Sequence, residues 1–514
     1  MTTVIPEQPG APALDLRLVP AALTSWAVTA AGIVWAQAGS LAAIAVTATT
    51  TAAAGWWGSR GGRPGDRRAV AAGVAAVLLV GGGFAVAVVL RADEVRHHPI
   101  RGHLGGVTAV VVTPTETPRL LKGGRLMFRG SLLTLDGAQS SGKVVVFASG
   151  AAFSGLIAGQ PAAFRAQVSM PKRRDLTVAA LAAKGEPAFG EAAPIHRAAH
   201  HIRDRFAQAS RTVLPVDQAA MLPALVLGDT SAVPGRTTAD FRASGLTHLT
   251  AVSGANVTIV CGAVLLTAAL IGPRAAVGLA AVTLVGFVVV VQPSPSVLRA
   301  AAMGAITLLA VLSHRRRQAL PALSATVLVL MVADPQLAVD IGFALSASAT
   351  AALVLIAPAW SRRLADRGWP RPLADAVSVA VAAQLVTAPL VAGISGSVSL
   401  VAVVANLVVA PMIPPITVIG TAAAALCVLW PAGAELLIRF TGPEVWWLLT
   451  VAGRAADVPA ASVPVPSGIA GVVTVAVAAL GVAVVWHWWC RRCHRDVALS
   501  SGESRGDRTA PDSG

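Results

Sequence analysis

The fold class predicted by this sequence is a polytopic α-helical membrane protein of about 12 spans, with a small extracellular β-barrel inserted after the third span. Three observations predict it. Of 514 residues, 55% are hydrophobic and 13% charged, with a mean hydropathy of +0.69; a soluble chain carries about twice that charge. Long uncharged stretches recur along the chain. One polar region, residues 97–190, holds 11 Lys/Arg against 4 Asp/Glu and reads as strands. An ordinary soluble enzyme and a disordered chain are both excluded. Four Cys without a regular framework exclude a disulfide-stapled module.

A spanning helix needs about 20 apolar residues. No charge occurs between Arg17 and Arg60, which leaves room for two spans with a break near Gln37 to Ser40. Ala69–Leu90 supplies the third. After the polar region, spans are expected at Ala243–Pro273, Ala275–Leu298, Ala300–Ser313, 320–333 and 341–358. The uncharged stretch Ala376–Ala434 holds three, broken at Pro389, Pro411, Pro414 and Pro415, and a last span covers Ser467–Trp489. Residues 434–453, with Glu435, Arg439 and Glu444, read as one interfacial helix. The N-terminus lacks a basic n-region and a cleavage site, so it reads as spans rather than a signal peptide. Arginine clusters at 60–68, 315–317, 362–371 and 491–495 fall in short connections, which stay cytoplasmic and place residues 91–247 outside. The resulting units are 1–95, 96–190, 191–247, 248–490 and a polar tail, 491–514.

Within the polar unit, Val107–Thr113, Leu126–Leu135, Lys143–Ala148, Ala163–Val168 and Leu176–Ala182 have strand character and are separated by Gly, Pro and Ser. All four lysines of the protein lie here. A basic barrel suits a single-stranded nucleic acid when aromatic platforms are present, and candidate contacts are Arg101, Arg119, Lys122, Arg125, Arg129, Lys143, Lys172, Arg173 and Arg174. Of the aromatics Phe128, Phe147, Phe153, Phe164 and Phe189, several are expected to fill the barrel. Glu191–Leu214 then reads as an amphipathic helix facing lipid headgroups. Its His196 and His200 share a helical face, but no Glu follows the first His and no third ligand is evident, so no metal site is expected.

Three further motifs occur. Gly137–Val144 resembles a phosphate loop but lacks the Ser/Thr for Mg²⁺ and falls between strands, so a hairpin turn is expected and any ATP-driven motor is a separate protein. Cys490-Arg-Arg-Cys493-His494 matches a haem-attachment pattern, yet its arginines favour the cytoplasmic side; reduced thiols are the reading. His248, Ser253 and Asn256 enter an apolar span, where polar groups need protein or a water-filled cavity. A Ser253 nucleophile with a His248 base would make an intramembrane hydrolase, but residues five apart do not share a helical face.

The same segment carries a resemblance. Leu227-Gly-Asp229 and Phe241-Arg-x-x-Gly245-Leu-x-His248-Leu-x-Ala-Val-Ser253-Gly254 resemble the signature of the ComEC competence family of DNA-uptake channels. Arg299-Ala, Asp334-Pro335 before Gly342-Phe343-x-Leu345-Ser346, Gln384-Leu-x-Thr387-x-Pro389 and Asn406-Leu-x-x-x-Pro411 follow in the family's order. The resemblance covers about 215–415 and extends, more weakly, to the family's OB-like domain at 97–190. It implies a multi-pass channel in the bacterial cytoplasmic membrane that passes single-stranded DNA. The path would be lined by Arg299, Gln384 and Asn406, with Asp229, His248, Ser253, Gly254 and Asn256 near its entrance. A separate DNA receptor, a cytoplasmic helicase or ATPase and a nuclease are the implied partners, beside membrane lipid. Many members carry His where this chain has Asn256, so a proton or metal role is not carried over there. Many also end in a metallo-β-lactamase-like nuclease domain; with no HxHxDH cluster, this chain is expected to be a short form without it, and neither an enzyme nor a holder of cofactors. The competing class is a small-solute or lipid transporter, which would need no basic barrel.

Overall fold

The computed structural model describes residues 15–58, 64–121, 123–312 and 318–481. Lys122, Arg60, Arg63, the 315–317 cluster and everything after 481, including the Cys490–His494 motif and the end of the last expected span, lie outside the described residues.

The chain is a multi-pass α-helical membrane protein: among the described residues six helices are long and apolar enough to cross a membrane, and five more apolar helices are shorter. Helix α1 (Val19–Gly58) leaves helical geometry at Ala36 (φ 56°, ψ −146°), beside the expected break. Val28 and Ser40 would stand about 18 Å apart along a straight helix. Instead Ser40 Oγ donates to Val28 O at 3.4 Å, so the two arms fold back on each other. Gly81 of α2 (Pro64–Arg96) sits against Thr24 of one arm and Ile44 of the other, completing a three-armed N-terminal unit.

The barrel follows. Strands β1 (Val107–Pro114), β2 (Arg119–Leu120), β3 (Arg125–Leu135), β4 (Ala138–Ser149), β5 (Ala162–Ser169) and β6 (Thr177–Phe189) form one sheet. Its order is β1-β5-β6-β4-β3, and β1 also pairs with β3, so five strands close on themselves while β2 is a short addition. The β4–β6 pairing is parallel; the others are antiparallel. Every expected strand is present because alternation sets inward and outward faces. Phe128, Val146, Ala166 and Leu181 point in, and Phe153 packs edge-on against Phe164 at 5.3 Å. The expected hairpin turn is real: Asp136-Gly137 joins β3 to β4, with Leu135 opposite Ala138.

Helix α3 (Pro194–Val213) realises the expected amphipathic stretch, but its apolar face enters the core through Ile202 and Phe206 rather than lying on lipid headgroups. It packs on α4 (Val216–Leu227) and α7 (Pro273–Val291), and α5 (Gly235–Ala243), α6 (Gly254–Ala268) and α8 (Pro295–Leu312) contribute to the same core. Next come α9 (Ala319–Ala333), a 3₁₀ turn at Pro335–Val339, α10 (Ile341–Leu355), α11 (Ala357–Ala365) and α12 (Arg371–Ser395). A second apolar cluster joins α1 to α9, the turn and α10; there Trp26 donates to Ala338 O at 3.0 Å and stacks edge-on against Phe343.

Two expectations for 376–453 are corrected. Pro389 does not end a span, since α12 runs through it to Ser395. The remainder of the stretch forms one interrupted apolar segment, 402–426, rather than two spans: α13 (Ala402–Val409) stops at a 3₁₀ turn containing Pro411, and α14 (Ile413–Leu426) starts with Pro414 and Pro415 in its first turn. Proline lacks a donor, and the first turn of a helix needs none. The single interfacial helix expected at 434–453 is two helices, α15 (Pro431–Phe440) and α16 (Gly442–Ala456), whose Ala434, Ile438, Val445 and Leu448 are fully buried in the main core. Between α12 and α13, β7 (Ser397–Ser399) pairs with β8 (Ser462–Pro464), and the helix 469–481 follows.

Candidate functional site

The signature residues gather where α4 ends and α6 begins. Helix α4 stops because Gly228 adopts the left-handed conformation (φ 71°), letting its N–H reach Ala224 O and the Asp229 N–H reach Pro223 O. The last carbonyls of α4 are then capped from elsewhere in the fold. Asn256 Nδ2, in the first turn of α6, donates to Leu225 O at 3.2 Å. Arg203 of α3 donates through Nη1 to Leu227 O at 2.9 Å and to Val290 O, in the last turn of α7, at 3.2 Å. One guanidinium therefore sits on the C-terminal ends of two helices, where positive charge is favoured. Its Nη2 stands 3.8 Å from Asp229 Oδ2. Burial pushes the Arg203 pKa down and the carboxylates of Asp229 and Asp204 oppose that; an arginine stays charged in either case.

Ser253 and Asn256 form one unit, with Ser253 Oγ donating to Asn256 Oδ1 at 3.1 Å. His248 is elsewhere engaged: it lies exposed in the 3₁₀ turn Thr247–Thr250, its Nδ1 3.2 Å from Gly245 O. The structure does not join His248 to Ser253, so the pair lacks the nucleophile–base contact that a serine hydrolase requires. Among the described residues no group of three or more His, Cys, Asp and Glu could hold a metal ion.

Arg299 of α8 lies one layer away and is only 5% exposed. Its Nε donates to Ser346 Oγ of α10 at 2.7 Å, and Nη1 lies 3.3 Å from Met303 Sδ. Its Nη2 lies over Gly254, where an added Cβ would stand 2.7 Å away, so the absence of a side chain there makes room for the guanidinium. Among the described residues no carboxylate is within ion-pair distance of Arg299. The Pro293-Ser-Pro295-Ser run breaks the chain between α7 and α8, and Ser296 Oγ ties it to Val252 O at 2.9 Å. Gln384 on α12 and Asn406 on α13 are half-buried and make no side-chain hydrogen bond among the described residues. The structure brings together Asp229, Ser253, Gly254, Asn256 and Arg299 through shared helix ends, but forms no bond from them to Gln384 or Asn406.

The barrel cations fall into two sets. Lys172, Arg173 and Arg174 project from the β5–β6 loop, exposed and without an ion pair among the described residues. Arg125 lies over the Phe147 ring at 5.6 Å, the one aromatic platform on the outer face of β3–β4. Arg119 pairs with Glu116 at 3.3 Å, and Arg101 is partly buried with an unpartnered Nε. Lys143 and Arg129 instead face the membrane helices: Lys143 Nζ is 2.7 Å from Asp334 Oδ1, and Arg129 Nη1 is 4.0 Å from Asp340 Oδ2. A third tie joins the same bodies, as the Thr117 N–H and hydroxyl both donate to Gln292 Oε1, at 3.0 and 2.8 Å.

Arg203, and Asp334, Asp340 and Gln292 that dock the barrel, are site residues beyond those expected from the sequence. The signal available for Arg203 was a lone arginine on the apolar side of an amphipathic helix. No curated protein and no solved structure matches this chain. A family model described as Competence protein matches residues 225–490, just over half of the chain and the whole run from the α4 end through Arg299 and Ser346. The chain belongs to the Competence protein family.

Proposed function

We propose that this protein is a channel that carries single-stranded DNA across the bacterial cytoplasmic membrane during DNA uptake. The family supports a role in DNA uptake, and the finer reading rests on one observation: a closed basic barrel with unpaired cations is docked on the membrane helices of a competence protein. Its strands form a five-stranded barrel of the OB-like kind, which binds oligonucleotides on the face of its second and third strands and in the loops after its first and fourth. Here those places are the β3–β4 face, the loop 115–124 with Arg119, and the loop 170–176 with Lys172, Arg173 and Arg174. The barrel lies on the outer side, about 12 spans lie in the membrane, and the chain itself does no covalent chemistry. Below the barrel the strand passes Arg299, whose buried charge has no carboxylate partner among the described residues. A helicase or ATPase, a receptor and a nuclease act as separate proteins.

Replacing Lys172, Arg173 and Arg174 together with Ala is expected to weaken binding of a labelled oligothymidine by the full-length protein in detergent. For three lost phosphate contacts the slope of log K against log salt becomes shallower by about 2. Uptake of labelled DNA should fall in cells carrying this variant at normal membrane abundance. An unchanged affinity and slope would remove the loop from the path. A wild-type protein that binds no oligonucleotide even at low salt would favour a solute or lipid transporter.

A further inference from the structure

We infer that Asp334 and Asp340 form an acidic latch over the nucleic-acid face of the barrel, occupying cations that a DNA backbone must win from them. The inference rests on the barrel's proposed role in binding DNA and concerns how that face is regulated. Lys143 and Arg129 stand on adjacent strands of the β3–β4 face: Lys143 is opposite Ser131, and Arg129 is opposite Val145. Arg125 and Phe147 share that face. The two carboxylates that meet these cations flank one 3₁₀ turn, Pro335–Val339. Their positions are fixed by other bonds. Asp334 Oδ1 also accepts from the Gln336 N–H at 3.2 Å, and Asp340 Oδ1 accepts from the Phe343 N–H at 2.9 Å, capping α10. The turn is anchored to α1 by Trp26. Two anions are thus held rigidly against two barrel cations.

The latch is weak by construction. Lys143 and Asp334 are 49% and 35% exposed, and the Arg129 pair is long. Pairs this open contribute little and are screened by salt. A polyanion that neutralises several cations at once releases its condensed counter-ions, so it outcompetes two isolated carboxylates. The Thr117–Gln292 hydrogen bonds involve no charge and are untouched by that exchange. DNA arriving at the barrel therefore displaces the two carboxylates from Lys143 and Arg129, while the turn itself stays anchored by Trp26.

The test is oligothymidine binding to the full-length protein by fluorescence anisotropy at low and high salt. The double variant Asp334→Asn/Asp340→Asn keeps the cap acceptors, because Asn caps as well as Asp. It is expected to bind about three- to tenfold tighter than wild type at low salt, the gain expected from removing two exposed pairs, and the gain should vanish at high salt. A control, Glu94→Gln/Glu186→Gln, makes the same change in net charge at exposed acids that pair with no barrel cation among the described residues. An equal gain in the control, or no gain in the latch variant while wild type binds, overturns the latch and leaves DNA binding standing. Absence of binding in all three proteins overturns the DNA reading itself.

Discussion

Arg299→Met is expected to lower DNA uptake by about ten- to hundredfold, the equivalent of one lost charge-assisted hydrogen bond of about 1.5–3 kcal/mol, while the protein stays at or above its normal abundance in the membrane. Both halves follow from the same geometry. The guanidinium is 5% exposed, bonded to Ser346, and without a carboxylate partner among the described residues. A buried charge lacking a counter-ion opposes folding, and an apolar side chain of similar volume is neutral or stabilising in such places. A residue that supports the fold would show the opposite pattern, with abundance lost first. Arg299→Lys keeps the charge but loses the planar fork that reaches Ser346, so intermediate uptake is expected. Gly254→Leu, which fills the space beneath Nη2, should impair uptake without removing any charge. Labelled-DNA uptake read beside membrane abundance decides the matter; full uptake in Arg299→Met would remove Arg299 from the path.

Arg203→Met has the reverse signature. It is expected to destabilise the protein by about 2–6 kcal/mol, from two buried carbonyls left unsatisfied at about 1–3 kcal/mol each. The carbonyls of Leu227 and Val290 both lose their donor, at the ends of two helices packed in the main core. Asp229→Asn is expected to cost at most about 1 kcal/mol, because its contact with Arg203 is 3.8 Å long and the carboxylate is partly exposed. Thermal unfolding of the purified proteins in detergent should separate the two variants clearly. Equal melting of Arg203→Met and wild type would mean that water caps those carbonyls as well as the guanidinium does.

The difference between these arginines shows what was legible in the sequence. Arg299 could be read because it interrupts an apolar run after a double-proline break, so its cost in the membrane is visible in one dimension. Arg203 was hidden in a helix that also carries Arg197, Arg205 and Arg211, a pattern that matches a headgroup-facing surface. Its place in line with Ala199, Phe206 and Ser210 sets Arg203 apart from the other three, but only the packed structure shows that it caps α4 and α7. The barrel strands were legible because a period of two sets their faces, and Asp136-Gly137 marks its own turn. Lys143 and Arg129 read as free cations because their acids lie far along the chain. The Pro389 expectation failed because proline's local penalty was overridden by the packing of α12, a matter of tertiary context rather than propensity. Pro411 did interrupt a helix, and Pro414 and Pro415 began one.

The distance between Lys143 and Asp334 in sequence, 191 residues, also has a meaning in time. Ribosomes add about 5–20 residues each second, and β6 ends at Phe189, so the finished barrel precedes Asp334 by roughly 7–29 s. During that interval its cations meet only solvent, ions and headgroups. It therefore stands on its own core, the cluster around Phe128, Phe153 and Leu181 that shares no residue with the helical core. Its docking acids are made only afterwards, so the barrel's core does not depend on them.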